Sequence, residues 1–269
     1  MRIRITVIGG GNMGSAIVRG LVHGSVFRAE DITVVDISVC SLNSLQEFNS
    51  SIRISLANYD SVRESDVVLL AVKPWLVNKV IEDIKETMNY SQQILISIAA
   101  SVNIADINRM LKKSKGEDLP AVFRVIPNTA IAVKRSMTLI ASCNASSKQE
   151  ELVLRIFSEL GNAVLLDEEK ISAGLAITSC GIAYCFRYIR AVVSAGVELG
   201  FYPMEVQELA VKTMLGAAVL LDENKQPTEV EIDKVTTPGG LTIKGLNQLE
   251  SKGFSSAVIQ AVKASVAES

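Results

Sequence analysis

Ile3-Arg4-Ile5-Thr6-Val7-Ile8-Gly9-Gly10-Gly11-Asn12-Met13-Gly14 decides the fold. Ile3 to Ile8 is short, rich in β-branched residues and closed by glycine, which predicts a buried strand. Gly9, Gly11 and Gly14 stand in G-x-G-x-x-G spacing. Met13, Ile17, Gly20 and Leu21 then give one apolar or small helical face. Strand, glycine turn and helix is the context in which this spacing has a physical meaning. The first glycine permits the tight turn, the second lets a pyrophosphate approach the backbone, and the third lets the helix pack on the strand. The helix N-terminus then offers free N–H groups and the positive end of its dipole to the phosphates. The plain alternative is a glycine turn with no ligand.

Outward from that stretch, a second strand from Asp31 to Asp36 ends in an acid. Asp36 stands at the distance where a carboxylate bonds the adenosine ribose hydroxyls. Further strands are expected at Ile52 to Ser55, Asp66 to Val72, Ile94 to Ile98, Ala121 to Ile126, Met137 to Ala141 and Ala163 to Leu166. Helices fill the gaps, among them Trp75 to Met88, Ile104 to Lys112 and Ser147 to Leu160. This alternation predicts a doubly wound α/β sheet of the Rossmann type. Ala71-Val72-Lys73-Pro74 lies just past a strand end, where ligands bind in open α/β sheets. Lys73 there faces a phosphate or ribose, or is an ordinary solvated lysine. Ser97-Ile98-Ala99-Ala100 ends the next strand, and its small residues leave room for a flat ring such as nicotinamide. Pro127-Asn128-Thr129 ends another strand in the same way.

Beyond about Asp167 no strand pattern remains, so an all-α segment follows the sheet. Residues 1–166 form the expected dinucleotide-binding domain and 167–269 the helical one. Ile171 to Gly200 is a long apolar run rich in Ala, Gly and Ser, which suits close helix packing inside a bundle or across a dimer. Arg187 and Arg190 interrupt it and argue against a membrane span. A second helix runs from Pro203 to about Leu221, and Lys225 to Val235 is a loop or short helix. Thr236-Thr237-Pro238-Gly239-Gly240-Leu241-Thr242 then opens the last helical stretch, with Gly253 as a stop before a final helix. Free N–H groups at that start make a carboxylate site, and Thr236, Thr237 and Thr242 surround it with hydroxyls. A glycine-rich turn between two helices is the bland alternative.

The 269 residues carry a net charge of −2 with no basic block, which argues against nucleic acid as a partner. The hydrophobic fraction of 48% and mean hydropathy of +0.31 point to extra buried surface between subunits. Cys40, Cys143, Cys180 and Cys185 form no C-x-x-C pair and read as reduced thiols of a cytoplasmic protein. His23, the single histidine, has no ligand-like neighbours and reads as the end of a surface helix, so no metal site is expected.

The stretch from Thr236 to Leu246 resembles the C-terminal signature of the pyrroline-5-carboxylate reductase family. The resemblance covers nearly the whole chain. It runs through Ile8 to Gly14, Ala71-Val72-Lys73-Pro74, Arg124-Val125-Ile126-Pro127-Asn128-Thr129 and Leu215-Gly216-Ala217-Ala218. It implies reduction of 1-pyrroline-5-carboxylate to L-proline with NADPH or NADH, the last step of proline synthesis. It also implies a helical domain that builds an intertwined homodimer, often assembled further. By position, Gly9, Gly11, Asn12, Met13 and Gly14 would hold the pyrophosphate. Asn58, Ala71, Val72, Lys73 and Pro74 would line the ribose side, and Ala99 and Ala100 the nicotinamide. Thr237, Gly239, Gly240 and Thr242 would bind the substrate, with Thr242 or a water it orients as proton relay.

The sequence departs from the family pattern at several positions. Asp36 stands where NADPH-preferring members carry neutral or basic residues, and its charge opposes a 2′-phosphate, which predicts NADH preference. Ser101, Ile182, Ser194 and Lys212 replace a common glycine, proline, acid and glutamine. Two other functions share these features. A β-hydroxyacid dehydrogenase or related imine reductase shares the glycine turn. It uses a lysine on the long helix, and none lies between Ile171 and Gly200. A non-catalytic, nucleotide-binding regulator derived from the reductase is the other.

Overall fold

Strands β1 (Ile5–Ile8), β2 (Ile32–Asp36), β3 (Arg53–Leu56), β4 (Val67–Leu70), β5 (Ile94–Ser97), β6 (Ala121–Ile126), β7 (Ser136–Cys143) and β8 (Gly161–Leu165) form one sheet. Their order is β3-β2-β1-β4-β5-β6-β7-β8. From β3 to β6 every neighbouring pair is parallel. The chain order reverses between β1 and β4, so a crevice opens there at the carboxyl ends of the strands. β7 runs antiparallel to β6 and β8 parallel to β7. The reversal follows a 3₁₀ turn at Thr129–Val133 that ends on Lys134 in the left-handed region, φ 55°. The computed structural model describes residues 2–113 and 118–266.

The expected strands all form. Ile3 and Arg4, expected to open β1, lie outside it, and the Arg4 carbonyl accepts the Asp66 and Val67 N–H groups. Helices α1 (Asn12–Val22), α2 (Val39–Phe48), α3 (Pro74–Ile84), α4 (Ile104–Leu111) and α5 (Ser147–Ser158) cover the sheet. Ile5, Val7, Val67 and Leu69 share one core with Ile17 and Leu21 of α1, Leu45 of α2 and Phe157 of α5. Ile8, Val68 and Leu70 share the other with Val77 and Ile81 of α3 and Ile107 of α4. Both faces are thus covered, which is why the parallel strands read as continuous apolar runs.

The described residues form two compact units that divide between Ser179 and Cys180. The segment expected as one helical run contains α6 (Ile171–Leu175), a π-helical turn at Ala176–Cys180, and α7 (Gly181–Glu198). Thr178 Oγ1 donates to the Gly174 carbonyl at 3.0 Å, an insertion into the helical ladder of the kind that perturbs it. The second unit continues with α8 (Pro203–Asn224), α9 (Thr228–Lys234), α10 (Leu241–Ser251) and α11 (Phe254–Ala264). α7 and α8 pack closely at Gly196, where a Cβ would lie 2.4 Å from Val206 Cγ2.

Candidate functional site

Gly9 adopts φ +110°, and a Cβ there would lie 2.5 Å from the Ala71 carbonyl oxygen. A Cβ at Gly14 would lie 2.0 Å from the Gly9 carbonyl oxygen. Only glycine lets β1, α1 and the end of β4 meet this closely. At Gly11, its chain neighbours aside, no described residue has an atom within 4 Å of the corresponding position. Gly11 caps α1 without a side-chain bond to its first amides, leaving them for a ligand. A cleft of about 640 Å³ opens at Gly10, Gly11 and Asn12 and continues along Ser15 and Arg19 of α1 and Ser41 and Ser44 of α2. These features fit the pyrophosphate of a dinucleotide.

Asp36 is tied into the same turn. Its Oδ2 accepts the Gly10 N–H at 2.5 Å and its Oδ1 the Ser38 N–H at 2.7 Å. A carboxylate has about four acceptor positions, so room remains for hydroxyl donors. Its backbone carbonyl accepts the Ala57 N–H at 3.0 Å. That bond brings the loop of Asn58 beside the end of β2. The Asn58 side chain is engaged locally, with Oδ1 accepting the Asp60 N–H at 2.7 Å and Nδ2 donating to Asp60 Oδ2 at 3.0 Å. Ala71 and Val72 sit against Gly9. Lys73 is the exposed N-cap of α3 and Pro74 its first residue. Past β5, Ala99 is 3% exposed and packs in the core, so it offers a ligand little surface. Ala100 is exposed.

The turn in the second unit has its own geometry. The Gly240 N–H donates to the Thr237 carbonyl at 2.9 Å, closing a turn with Pro238 and Gly239 at its centre. Gly239 has φ +72°, which a type II turn requires at that place. A Cβ at Gly240 would lie 2.5 Å from Thr237 Oγ1, so the hydroxyl sits directly over the glycine. α10 starts at Leu241 with no side-chain cap bond. Thr237 and Thr242 are exposed. Unused amides beside two exposed hydroxyls suit a small carboxylate.

Residues 168–269 match the family model for pyrroline-5-carboxylate reductase dimerisation. Residues 4–101 match one described as NADP oxidoreductase, coenzyme F420-dependent. A Synechocystis pyrroline-5-carboxylate reductase is 35% identical, over 98% of this chain and 96% of its own length. This chain belongs to the pyrroline-5-carboxylate reductase family. Pyrroline-5-carboxylate reductase 1 of Dictyostelium discoideum is 37% identical over 96% of this chain, which spans 48% of that protein's length. The reductase of Coxiella burnetii superposes with a TM-score of 0.91 at 29% identity, covering 99% of this chain and 97% of that one. The Plasmodium falciparum pyrroline carboxylate reductase, solved with NADP bound, gives 0.84 at 26% identity, covering 98% and 95%.

As a member of the reductase family the protein is an oxidoreductase that uses NAD(P)H. Three residues of this family member escaped the sequence reading or received no role in it. Ser15 donates its hydroxyl to the Gly10 carbonyl at 2.6 Å. Ser38 caps α2, accepting the Ser41 N–H at 3.3 Å. Arg124 reaches from β6 to the Ala100 carbonyl at 2.6 Å. Ser38 stands at a helix start, the usual cap signal, and a lone charge in an apolar strand is the signal for Arg124; Ser15 lies inside α1 and carries no such signal. Of the departures from the family pattern, Ser194 bonds the Arg190 carbonyl of its own helix at 3.1 Å. Lys212 lines a cleft of about 400 Å³ along α8.

Proposed function

We propose that this protein reduces 1-pyrroline-5-carboxylate to L-proline, the last step of proline biosynthesis, with a reduced nicotinamide dinucleotide as hydride donor. The observation that carries the reading is the open Gly11 at the start of α1, its turn fastened by Asp36. Residues 1–166 hold the cofactor, and 167–269 carry the substrate turn and the dimer surface. Gly9, Gly11, Asn12, Met13 and Gly14 take the pyrophosphate. Asp36 takes the ribose hydroxyls, and Asn58, Ala71, Val72, Lys73 and Pro74 line that side. The backbone at Ala99 and Ala100 supports the nicotinamide.

The substrate is a cyclic imine, and its nitrogen takes a proton from solvent. Such a site needs alignment more than a strong protein acid. That accords with a chain whose one histidine stands at the end of α1. Thr237, Gly239 and Gly240 hold the carboxylate. Thr242, or a water it orients, bonds the ring nitrogen and relays the proton. The Thr242→Ala variant is expected to lose turnover by about a hundredfold, within the usual range for a proton-transfer group, while cofactor affinity holds. An unchanged rate would remove the assignment.

The protein works as a cytoplasmic homodimer, open to further self-assembly, without nucleic acid or membrane. Absorbance at the reduced-nicotinamide band, followed with pyrroline-5-carboxylate and each dinucleotide in turn, tests the whole reading. Rapid loss with NADH is expected. Loss with NADPH alone keeps the reaction and removes the role of Asp36. Loss with neither, while dinucleotide still binds, points to the regulator.

A further inference from the structure

Arg124 is the only charged residue of β6, and the other residues of that strand are buried. Its guanidinium has two fixed partners. Nη2 donates to the Ala100 carbonyl at 2.6 Å and Nη1 to Glu168 Oε1 at 3.1 Å. The same Glu168 oxygen accepts the Ile104 N–H, at the start of α4, at 2.7 Å. Ala100 and Ile104 bracket the turn between β5 and α4. One ion pair therefore grips that turn at both ends. The side chains of Arg124 and Glu168 are 12% and 32% exposed.

An ion pair drawn this far from water contributes little net stability, because desolvation offsets its attraction. An apolar residue in β6 would fill the space. What the pair supplies is direction. No cis peptide occurs among the described residues, and a trans peptide holds its N–H opposite its C=O. With the Ala100 carbonyl held by Arg124, the Ser101 N–H points away from Arg124, and both Ala100 and Ser101 are exposed.

We propose that Arg124, backed by Glu168, is a positioning residue that fixes the Ala99–Ser101 backbone against the nicotinamide end of the cofactor. The inference rests on the cofactor reading above. It acts on hydride-transfer geometry and leaves the adenosine end of the site alone.

The test compares wild type with Arg124→Met, Arg124→Lys and Glu168→Gln. In cofactor-free protein, hydrogen exchange at amides 101–104 is expected to quicken in Arg124→Met, while exchange around Gly10–Gly14 is unchanged. Calorimetric affinity for ADP-ribose, which lacks the nicotinamide, is expected to stay within about twofold, while kcat falls at least about tenfold, as small misplacements near a reacting centre do. The isotope effect with 4-deuterated cofactor is expected to rise as hydride transfer becomes limiting. Arg124→Lys keeps one donor and should recover part of kcat.

A lower melting temperature with unchanged kcat per folded molecule and unchanged isotope effect would overturn the proposal. If Arg124→Met does not fold, Glu168→Gln decides by the same readouts, with smaller changes in the same direction. Wild type that binds ADP-ribose but turns over no pyrroline-5-carboxylate would sink the functional reading and this inference together. Active wild type with an indifferent Arg124→Met sinks this inference alone.

Discussion

A methyl group added at Gly11 and one added at Gly14 meet opposite fates. Gly11 has φ −67° and, its chain neighbours aside, no described residue within 4 Å of a built Cβ. Gly11→Ala should therefore leave the melting temperature unchanged while dinucleotide affinity collapses. At Gly14 the same methyl meets the Gly9 carbonyl at 2.0 Å. Gly14→Ala should cost about 1–3 kcal/mol in urea unfolding, the range for overpacking. Equal effects of the two changes would refute the assignment of one glycine to the ligand and the other to the fold. Asp36 joins both roles in the proposed site: it fastens Gly10, and the proposal gives it the ribose hydroxyls. Asp36→Ser should raise kcat/KM for NADPH relative to NADH by about tenfold or more, because a like-charge clash is removed. A ratio that does not move would mean that Asp36 serves only the turn. Glycine spacing between a strand and a helix made the turn legible, and the acid closing the second strand singled out Asp36. The carboxylate's bond to Gly10 spans 26 residues, and no local pattern reports it.

At the scale of single elements, α10 presents the sharpest expectation. Its first turn has no side-chain cap and follows a turn closed by Gly240 N–H to Thr237 carbonyl. A carboxylate there gains charge-assisted bonds of about 1.5–3 kcal/mol each. The analogue 1-pyrroline, which lacks the carboxylate, should therefore show a KM raised by at least about tenfold, since 1.4 kcal/mol is a factor of ten. An unchanged KM would move the carboxylate site elsewhere. Proline and glycine punctuate this element, so its start could be read from sequence. The strands were legible for a similar reason: sheet residues covered on both faces read as apolar runs. α2 was harder, because only Leu42 and Leu45 are buried in it and a short polar helix has a weak period. The antiparallel entry of β7 was also hidden. It depends on the Thr129–Val133 turn and on pairing of Ile126 with Leu139, and strand patterns carry no sign of direction. The grip of Arg124 on Ala100 joins residues 24 apart, so the sequence showed the charge without its purpose.

For the whole molecule, the apolar surface of the helical unit is the quantity left to explain. In α8 only Val206 and Ala210 are buried. Leu209, Leu215, Val219 and Leu220 are between 43% and 58% exposed. A helix apolar on most sides needs cover on most sides. The stretch Glu168–Glu198 adds to this, being long and apolar enough to cross a membrane while its most apolar part is almost wholly unburied. Arg187 and Arg190 lie within it, and charged residues at bilayer depth are expensive. A second copy covers such a surface without that cost. Gly216, whose built Cβ meets no other element among the described residues, leaves room for a neighbouring helix to approach. Sedimentation at micromolar concentration should give twice the chain mass of 29.0 kDa, with no protein lost to lipid vesicles. Leu215→Glu should weaken the dimer by about 2 kcal/mol, the worth of one buried leucine, and so by more than about tenfold in dissociation constant. Leu215 and the cofactor turn belong to different compact units, so the variant should keep its affinity for ADP-ribose while losing its partner. A wild-type monomer at that concentration would reject the dimer. Co-sedimentation with vesicles would give the same apolar face to a membrane instead.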